Sequence, residues 1–292
     1  MLGVVNLDKP TGPTSHDMVG LMRRLTGIRR IGHAGTLDPL ASGVLPILVG
    51  AATRFSEELS GGAKRYDATI RLGQRSATDD AEGPISPGSR PPHEARIREA
   101  LGAFIGTIQQ HPPAFSARKV GGRRAHRAAR AGEPLVLEAR SVRVDAIAVL
   151  ACTEHDDTTD LRIDLRCGPG TYVRSLARDL GEKLGCGGHL VALRRTEAAG
   201  LLAREAVTPD ALERLAAADR LDEALLPVGS LLRLPTVVLE PEAATRFVNG
   251  VVLQVEGDDG RHAVYDGSRL IGVGSLSAGM LQPEKVLPVA GR

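Results

Sequence analysis

Hydrophobic and polar positions along the chain predict strands and helices in a mixed order. Residues 2–7 form an apolar run typical of a strand, and a Pro/Gly turn then leads into a helix that begins at Ser15. Two further strands are predicted over residues 43–50 and 66–73. Because strands and helices follow no regular strand–helix–strand repeat, the pattern favours an α+β fold over a doubly wound sheet.

The middle of the chain combines a turn-rich segment with two neighbouring strands. Residues 76–93 are rich in Gly, Pro, Ser and Asp, which predicts a mobile surface loop. Residues 141–150 and 160–168 alternate between apolar and polar side chains, as adjacent strands do. Thr171 is placed to cap a helix whose apolar stripe ends before Gly185.

The C-terminal quarter has a different pattern. A helical stretch is predicted from Asp210 to about Leu226, and five short β-like runs separated by Gly, Asp and Pro follow it. This spacing is typical of a small β-barrel. We therefore place a domain boundary near residue 231, between a larger domain over residues 1–230 and a smaller one over residues 231–292.

The composition indicates a globular protein. Of the 292 residues, 42% are hydrophobic and 25% are charged, which excludes a disordered or collagen-like chain. The longest apolar stretch, residues 44–52, has about half the length of a bilayer span, and no basic segment precedes an apolar run at the N-terminus. We expect a cytoplasmic protein that makes no membrane contact.

Three cysteines without a CxxC pair suggest neither a disulfide framework nor a closed zinc site. Cys186 with His189 and Cys167 is the best combination for a metal, but it lacks a fourth ligand. We therefore expect buried thiols and no metal.

The basic residues cluster, although the formal net charge is only +2. Between Lys119 and Arg130 the chain has five cations and no acid. A solvated helix face is one interpretation, but such faces normally include acids at helical spacing. Contact with an acidic polymer is the other interpretation, and it would involve the five basic residues of the run: Lys119, Arg123, Arg124, Arg127 and Arg130.

The stretch GHAGTLDPLASGVLP, residues 32–46, contains the first candidate for chemistry. Asp38 before Pro39 could simply cap a helix, but Gly43 and Pro46 leave room for about one turn. A proline also biases the preceding residue toward extended backbone, which would hold the Asp38 carboxylate on a stiff loop. Such rigidity suits a nucleophile or a base.

Arg174 is the second candidate, because the first turn of a helix disfavours a cation and another arginine follows one turn later. We expect an anion to face it: a phosphate at the glycines of residues 168–170, or a carboxylate such as Asp38. Tyr66 and Tyr172 lie beside these charged motifs, and core packing is an equal alternative for each.

Four motifs resemble the TruB family of tRNA pseudouridine synthases, in the order that the family shows. They are LDKPTGPTSHD, GHAGTLDPLASGVLPILVGAATR, KRYDATIRLGQRSATDDAEG and CGPGTYVRSLARDLGEKLGCGGHLVALRR. The final strands resemble the PUA RNA-binding module that ends many members. The resemblance implies a catalytic domain over residues 1–230 with a mixed, largely antiparallel central sheet flanked by helices and loops, and a PUA-like barrel over residues 231–292.

The resemblance also implies a reaction: a uridine at standard position 55 in the T-loop of tRNA is flipped out, detached at N1 and rejoined through C5 as pseudouridine. Asp38 would be the catalytic aspartate, Tyr66 the ring that stacks on the base and helps to deprotonate C5, and Arg174 the partner of the aspartate. The residue types fit, because a nucleophilic carboxylate needs a cation and a flipped base needs an aromatic face. The implied substrate-binding residues are His33, Tyr172, Leu193, Lys64 and Gly35.

The implied partner is the T-arm stem-loop of tRNA. The reaction is redox-neutral and has no external reactant, so no cofactor is expected, and a monomer without guide RNA or protein partner is implied. In the basic run this chain has Phe115 and His126 where members often have Tyr.

Two other functions are alternatives. One is a non-enzymatic tRNA-binding or RNA-folding protein that uses the same basic surface, against which the intact Asp38, Tyr66 and Arg174 argue. The other is the guide-RNA-dependent relative of archaea and eukaryotes, against which the stretches GEKLGCGGH and GQRSATDDAEG argue.

Overall fold

The computed structural model describes residues 1–116, 119–120, 123–124, 128, 133, 135 and 137–288. The strands of this part of the chain are β1 Gly3–Lys9, β2 Ile31–His33, β3 Ala41–Val49, β4 Lys64–Leu72, β5 Gln74–Ser76, β6 Ile85–Pro87, β7 Gly106–Gln110, β8 Lys119–Val120, β9 Arg123–Arg124, β10 Arg140–Glu154, β11 Thr159–Cys167, β12 Gly188–Ala198, β13 Leu201–Leu202, β14 Leu225–Leu226, β15 Thr236–Leu239, β16 Leu253–Gln254, β17 Gly260–Asp266, β18 Arg269–Ser277 and β19 Met280–Val286. Its helices are α1 Ser15–Thr26, α2 Ser56–Ser60, α3 Glu94–Gly102, α4 Val173–Lys183, α5 Pro209–Ala217 and α6 Pro241–Val248.

A ten-stranded sheet forms the framework of the larger part. Its strands run in the order β14-β1-β3-β12-β4-β11-β10-β7, with β2 on β3 and β13 on β12. The pairing of β3 with β12 is parallel and the other pairings are antiparallel. The mixed, largely antiparallel α+β fold is therefore confirmed.

Local signals explain the first helix. Thr14 accepts a hydrogen bond from the backbone N–H of Asp17, whose carboxylate accepts in return from the backbone N–H of Thr14. Gly27 ends α1 in the left-handed region with a φ of 69°. The predicted start at Ser15 is confirmed.

Two predicted helix boundaries are wrong. Tyr172 rather than Thr171 is the N-cap of α4, because the Thr171 hydroxyl donates to the carbonyl of Gly168 at 3.1 Å and caps no backbone N–H. The helix predicted to reach Leu226 ends at Ala217, because Asp219 turns the chain with a φ of 55°.

The turn-rich segment is not wholly a surface loop, which corrects that expectation. Strands β5 and β6 pair as a hairpin, and the loop between them brings Asp80 into the protein, where it is 3% exposed and pairs with Leu190. Asp79 holds the turn with a φ of 62°, a conformation that Asp adopts more readily than most residues.

The predicted C-terminal strands form a separate five-stranded sheet in the order β15-β17-β18-β19-β16. The pattern missed helix α6, which starts with a proline at its first turn and buries Phe247 completely against this sheet. Val273 and Leu287 join a hydrophobic cluster with Phe55 and Leu48 of the larger part. The boundary near residue 231 stays a prediction.

Among the described residues, no helix is both long and apolar enough to cross a membrane.

Candidate active site

A cavity of about 400 Å³ lies between the loop after β2, strand β4, strand β12 and the start of α4. Its volume is within the range of small-molecule sites. Seven of the eight residues predicted for catalysis or substrate binding line it: Gly35, Asp38, Lys64, Tyr66, Tyr172, Arg174 and Leu193.

The loop that carries Asp38 is fixed from the N-terminal end of α1. The Ser15 hydroxyl donates to the carbonyl of Leu37 and accepts from its N–H, each at 2.9 Å. The buried Lys9 ammonium donates to the carbonyl oxygens of Pro13 at 2.6 Å and Pro39 at 3.4 Å. A turn rather than a helix follows Asp38, so the alternative of a helix cap is wrong.

Burial lowers the pKa of Lys9 to about 8, although the charge of Asp38 opposes the shift. The ammonium is thus poorly solvated and depends on the carbonyl oxygens around it.

Arg195 holds the same loop from the other side, and sequence reasoning missed it. The residue is 1% exposed, and its guanidinium donates to the carbonyl oxygens of Val44 at 2.7 Å and Gly35 at 2.9 Å. Gly43 has a φ of 100°, and a Cβ there would lie 2.2 Å from the Arg195 carbonyl oxygen. Only glycine therefore allows strand β3 to approach β12 this closely.

Arg174 faces two carboxylates, which supply the anion expected beside a cation in the first turn of a helix. Its Nε lies 3.0 Å from Oδ2 of Asp38, and its Nη1 lies 3.3 Å from Oδ2 of Asp80. The guanidinium also donates to the carbonyl oxygens of Thr78 at 3.1 Å and Phe115 at 3.0 Å. The anion is thus a pair of carboxylates, and the arginine side chain is only 5% exposed.

Asp80 is the second residue that the sequence did not reveal. Its side chain is 4% exposed, and its Oδ1 accepts from the hydroxyl of Thr78 and, at 3.1 Å, from the backbone N–H of Glu82. The Asp38 side chain, in contrast, is 38% exposed toward the cavity. Asp80 therefore anchors the arginine, whereas Asp38 is free to meet a ligand.

Tyr66 lies on β4, opposite Leu165 of β11 and Arg195 of β12. Burial raises the pKa of its hydroxyl, and the charge of Arg195 partly offsets the shift. The ring therefore enters the cavity as a neutral phenol. Burial likewise raises the pKa of Tyr172, whose backbone is fixed by two hydrogen bonds to the Gln110 side chain, at 2.8 and 3.0 Å.

Lys64 and His33 differ in their placement. The Lys64 ammonium lies at the cavity and donates to the carbonyl oxygens of Ser60 and Gly62, both at 2.9 Å, and burial lowers its pKa. His33 is half-buried on β2 opposite Ile47 and is not among the cavity-lining residues. Burial lowers the pKa of His33 as well.

Only part of the basic run can be described. Lys119–Val120 pairs with Arg123–Arg124 as a short antiparallel hairpin. Arg123 donates to the exposed carboxylate of Glu133 at 2.6 Å. Arg127 and Arg130 lie outside the described residues.

The part of the chain that the structure describes contains no group of three His, Cys, Asp or Glu side chains arranged to hold a metal ion. Cys167 and Cys186 are buried free thiols, and burial raises the pKa of Cys167 to about 11.

Two protein-family models match consecutive parts of this chain. The sequence model described as "TruB family pseudouridylate synthase (N terminal domain)" matches residues 23–173, and that described as "tRNA pseudouridylate synthase B C-terminal domain" matches residues 174–233.

Two relatives with the name tRNA pseudouridine synthase B match nearly the whole chain. The protein of Burkholderia pseudomallei (strain 668) is 43% identical over 296 residues, which cover 98% of this chain and 96% of the relative. The protein of Acaryochloris marina (strain MBIC 11017) is 42% identical over 291 residues, which cover 99% of each.

Solved structures show the same fold at lower identity. A chain of an H/ACA RNP bound to a substrate RNA containing 2'-deoxyuridine superposes with a TM-score of 0.74 at 25% identity, over 98% of this chain and 85% of the other. A chain of a Cbf5-Nop10-Gar1 complex gives 0.73 at 27% identity, with the same coverage.

Proposed function

We propose a substrate for this chain, which belongs to the TruB family of pseudouridine synthases and is thus a tRNA-modifying isomerase. The proposed substrate is the uridine at standard position 55 in the T-loop of tRNA. The observation that carries the proposal is the arrangement of Asp38, Tyr66 and Arg174 around one cavity. The cavity volume of about 400 Å³ suits a single flipped nucleotide rather than a duplex.

In the proposed reaction the Asp38 carboxylate initiates cleavage of the bond between N1 of the base and C1′ of the ribose. The Nε of Arg174, 3.0 Å from Oδ2 of Asp38, holds the carboxylate in place at the cavity. The detached uracil turns within the cavity, C5 bonds to C1′, and the proton on C5 leaves as N1 gains one. The isomerisation thus balances without an external reactant.

Tyr66 contributes a ring on which the base stacks. Burial raises the pKa of the Tyr66 hydroxyl, so the phenol is neutral. The hydroxyl can therefore accept the proton from C5 only if it donates its own proton to another group at the same time. Leu193 forms an apolar part of the wall.

We propose further that the protein acts without guide RNA or a protein partner. The Cbf5 chain, solved with Nop10 and Gar1, is 27% identical, whereas the relatives named tRNA pseudouridine synthase B reach 42–43% over nearly the whole chain. The higher identity supports a stand-alone enzyme.

The proposal is tested with purified protein and an unmodified tRNA transcript in the presence of a metal chelator. Pseudouridine is mapped by carbodiimide adducts and reverse transcription. We expect one adduct, at the T-loop uridine. An adduct at another position would contradict the substrate, and modification that needs an added guide RNA would contradict autonomy.

The ring and the hydroxyl of Tyr66 can be separated by substitution. We expect Tyr66→Phe to keep the stacking, so that binding is retained while kcat falls about 10²- to 10⁴-fold, the usual contribution of a proton-transferring group. Tyr66→Ala should also weaken binding, by about 1–3 kcal/mol for a lost stack. Binding and single-turnover rates on a T-arm stem-loop measure both effects. Tyr265→Phe, in the C-terminal sheet, is the control, and normal turnover of both Tyr66 variants would make Tyr66 a core residue.

We propose that the basic run contacts the T-arm backbone through its five cations, Lys119, Arg123, Arg124, Arg127 and Arg130. The Arg123–Glu133 pair is exposed at both ends and thus holds Arg123 only weakly. We expect Arg123→Ala to flatten the dependence of log K on log salt by roughly 0.7–0.9 for a lost phosphate contact. Glu133→Gln should strengthen binding because it frees Arg123. An unchanged slope for Arg123→Ala would show that Arg123 is a solvated surface residue that contacts no phosphate.

A further inference from the structure

The C-terminal sheet is joined to the cavity rim by a group of ion pairs. Glu58 of α2 accepts from Nη2 of Arg261 at 2.6 Å and from Nζ of Lys285 at 2.8 Å, and its side chain is only 6% exposed. Lys285 also donates to Glu57 at 2.9 Å. Both cations belong to the five-stranded sheet, more than 200 residues further along the chain.

The burial of Glu58 makes this contact specific. A carboxylate taken out of water is costly unless it is paired and hydrogen-bonded. Burial raises the pKa of Glu58, but the hydrogen bonds from Lys285 and Arg261 outweigh burial and lower it overall. The carboxylate is therefore ionised and depends on the two cations of the other sheet.

Helix α2 leads directly into the wall of the candidate active site. Ser60, its last residue, lines the cavity, and the carbonyl oxygens of Ser60 and Gly62 accept from the Lys64 ammonium. A second cavity of about 390 Å³ is lined in part by Glu58, Gly61 and Gly62.

The segment from Ser60 to Lys64 thus borders the first cavity at its two ends and the second cavity at Gly61 and Gly62, which are consecutive glycines. A helix of five residues with such a connection does not hold its own position. Side-chain contacts with other elements must therefore hold α2 in place. Leu59 supplies the apolar contact, since it is 3% exposed in the cluster that includes Leu287. Glu58 supplies the polar one.

We propose that Glu58 is a positioning residue: held by Arg261 and Lys285, it fixes the end of α2 and thereby the Lys64 ammonium at the cavity. The C-terminal sheet then contributes to substrate binding in the cavity without touching the substrate. This inference rests on the proposed function only for the identity of the substrate.

The first test measures the placement of Lys64 and needs no enzymatic activity. Pulsed reductive methylation followed by mass spectrometry gives the labelling rate of Lys64 relative to Lys183, which is exposed on α4. We expect Glu58→Gln and Lys285→Met to raise this ratio about fivefold or more, as for other directly coupled neighbours. Lys285→Arg keeps the charge and should restore the wild-type ratio.

The matched control is Glu284→Gln, which breaks the pair of Arg261 with Glu284 but leaves both cations on Glu58. It should label like the wild type. Equal labelling of Lys64 in Glu58→Gln and Glu284→Gln would overturn the proposal.

The second test uses kinetics on a T-arm stem-loop. We expect Glu58→Gln to raise KM about fivefold and to leave kcat within about twofold, and this increase should disappear in a Lys64→Met background, because residues that act through one another are non-additive. An increase that persists in that background would show a general structural role and overturn the proposal. A wild-type protein inactive on the T-arm would instead overturn the proposed function, and the labelling ratio would still decide the role of Glu58.

Discussion

Replacement of Asp38 by Asn is expected to reduce kcat by on the order of 10⁴-fold or more while tRNA binding stays close to wild type. The amide keeps the size of the side chain but lacks the negative charge that the reaction needs. The buried Arg174 keeps Asp80 as a carboxylate partner after this change, so it is not left without an anion. Single-turnover pseudouridine formation and filter binding measure the two quantities separately.

Asp67→Asn is the matched control, because Asp67 is another carboxylate paired with an arginine, Arg162, but lies outside the cavity lining. It should turn over like the wild type. Activity of Asp38→Asn within about tenfold of wild type would show that Asp38 takes no part in the chemical step, since loss of a nucleophile lowers the rate far more. If tRNA folding is promoted equally by Asp38→Asn and wild type, an RNA-folding activity accompanies the enzyme.

Features fixed by neighbouring residues were predictable from the sequence. Helix α1 is specified within its own residues, by the Thr14 cap and by Gly27 at its end. An anion near Arg174 could be expected because a cation in the first turn of a helix needs one, and the sequence left a phosphate or a carboxylate such as Asp38 as its candidates. The structure brings Asp38 to 3.0 Å from Arg174.

Features that depend on distant contacts could not be predicted in this way. Asp80 is one of several acids in a turn-rich stretch, and only the approach of Arg174, 94 positions further along, distinguishes it. Arg195 is one arginine of a consecutive pair on β12: Arg194 is half-exposed and pairs with Asp8, whereas Arg195 is buried. The register of β12 against β3 and β4 decides which of the two points inward.

The placement of Asp80 gives Arg174 two anchors, and a second large effect follows from this. Nε of Arg174 lies 3.0 Å from Asp38 while Nη1 lies 3.3 Å from Asp80, so the planar guanidinium spans both carboxylates. A lysine carries the same charge on a single nitrogen and cannot reach both together with the carbonyl oxygens of Thr78 and Phe115. The charge alone would therefore not preserve the site.

Arg174→Lys is accordingly expected to lower kcat by about 10²-fold or more, the scale of a misplacement of about 1 Å at a reacting group. Asp80→Asn should lower kcat in the same direction, because Arg174 then keeps only its anchor at Asp38. Arg178→Lys is the control: one turn along α4, Arg178 pairs with Asp79 and Asp179 and does not line the cavity.

Thermal unfolding of each variant separates stability from catalysis. Removal of one partner of a buried ion pair costs about 3–5 kcal/mol when it leaves a charge uncompensated, and Arg174→Lys avoids most of that cost because the positive charge stays. We therefore expect Arg174→Lys to fold and bind the T-arm but to react slowly. If its kcat equals that of Arg178→Lys, the positive charge alone suffices, and the two-carboxylate span of Arg174 has no part in the reaction.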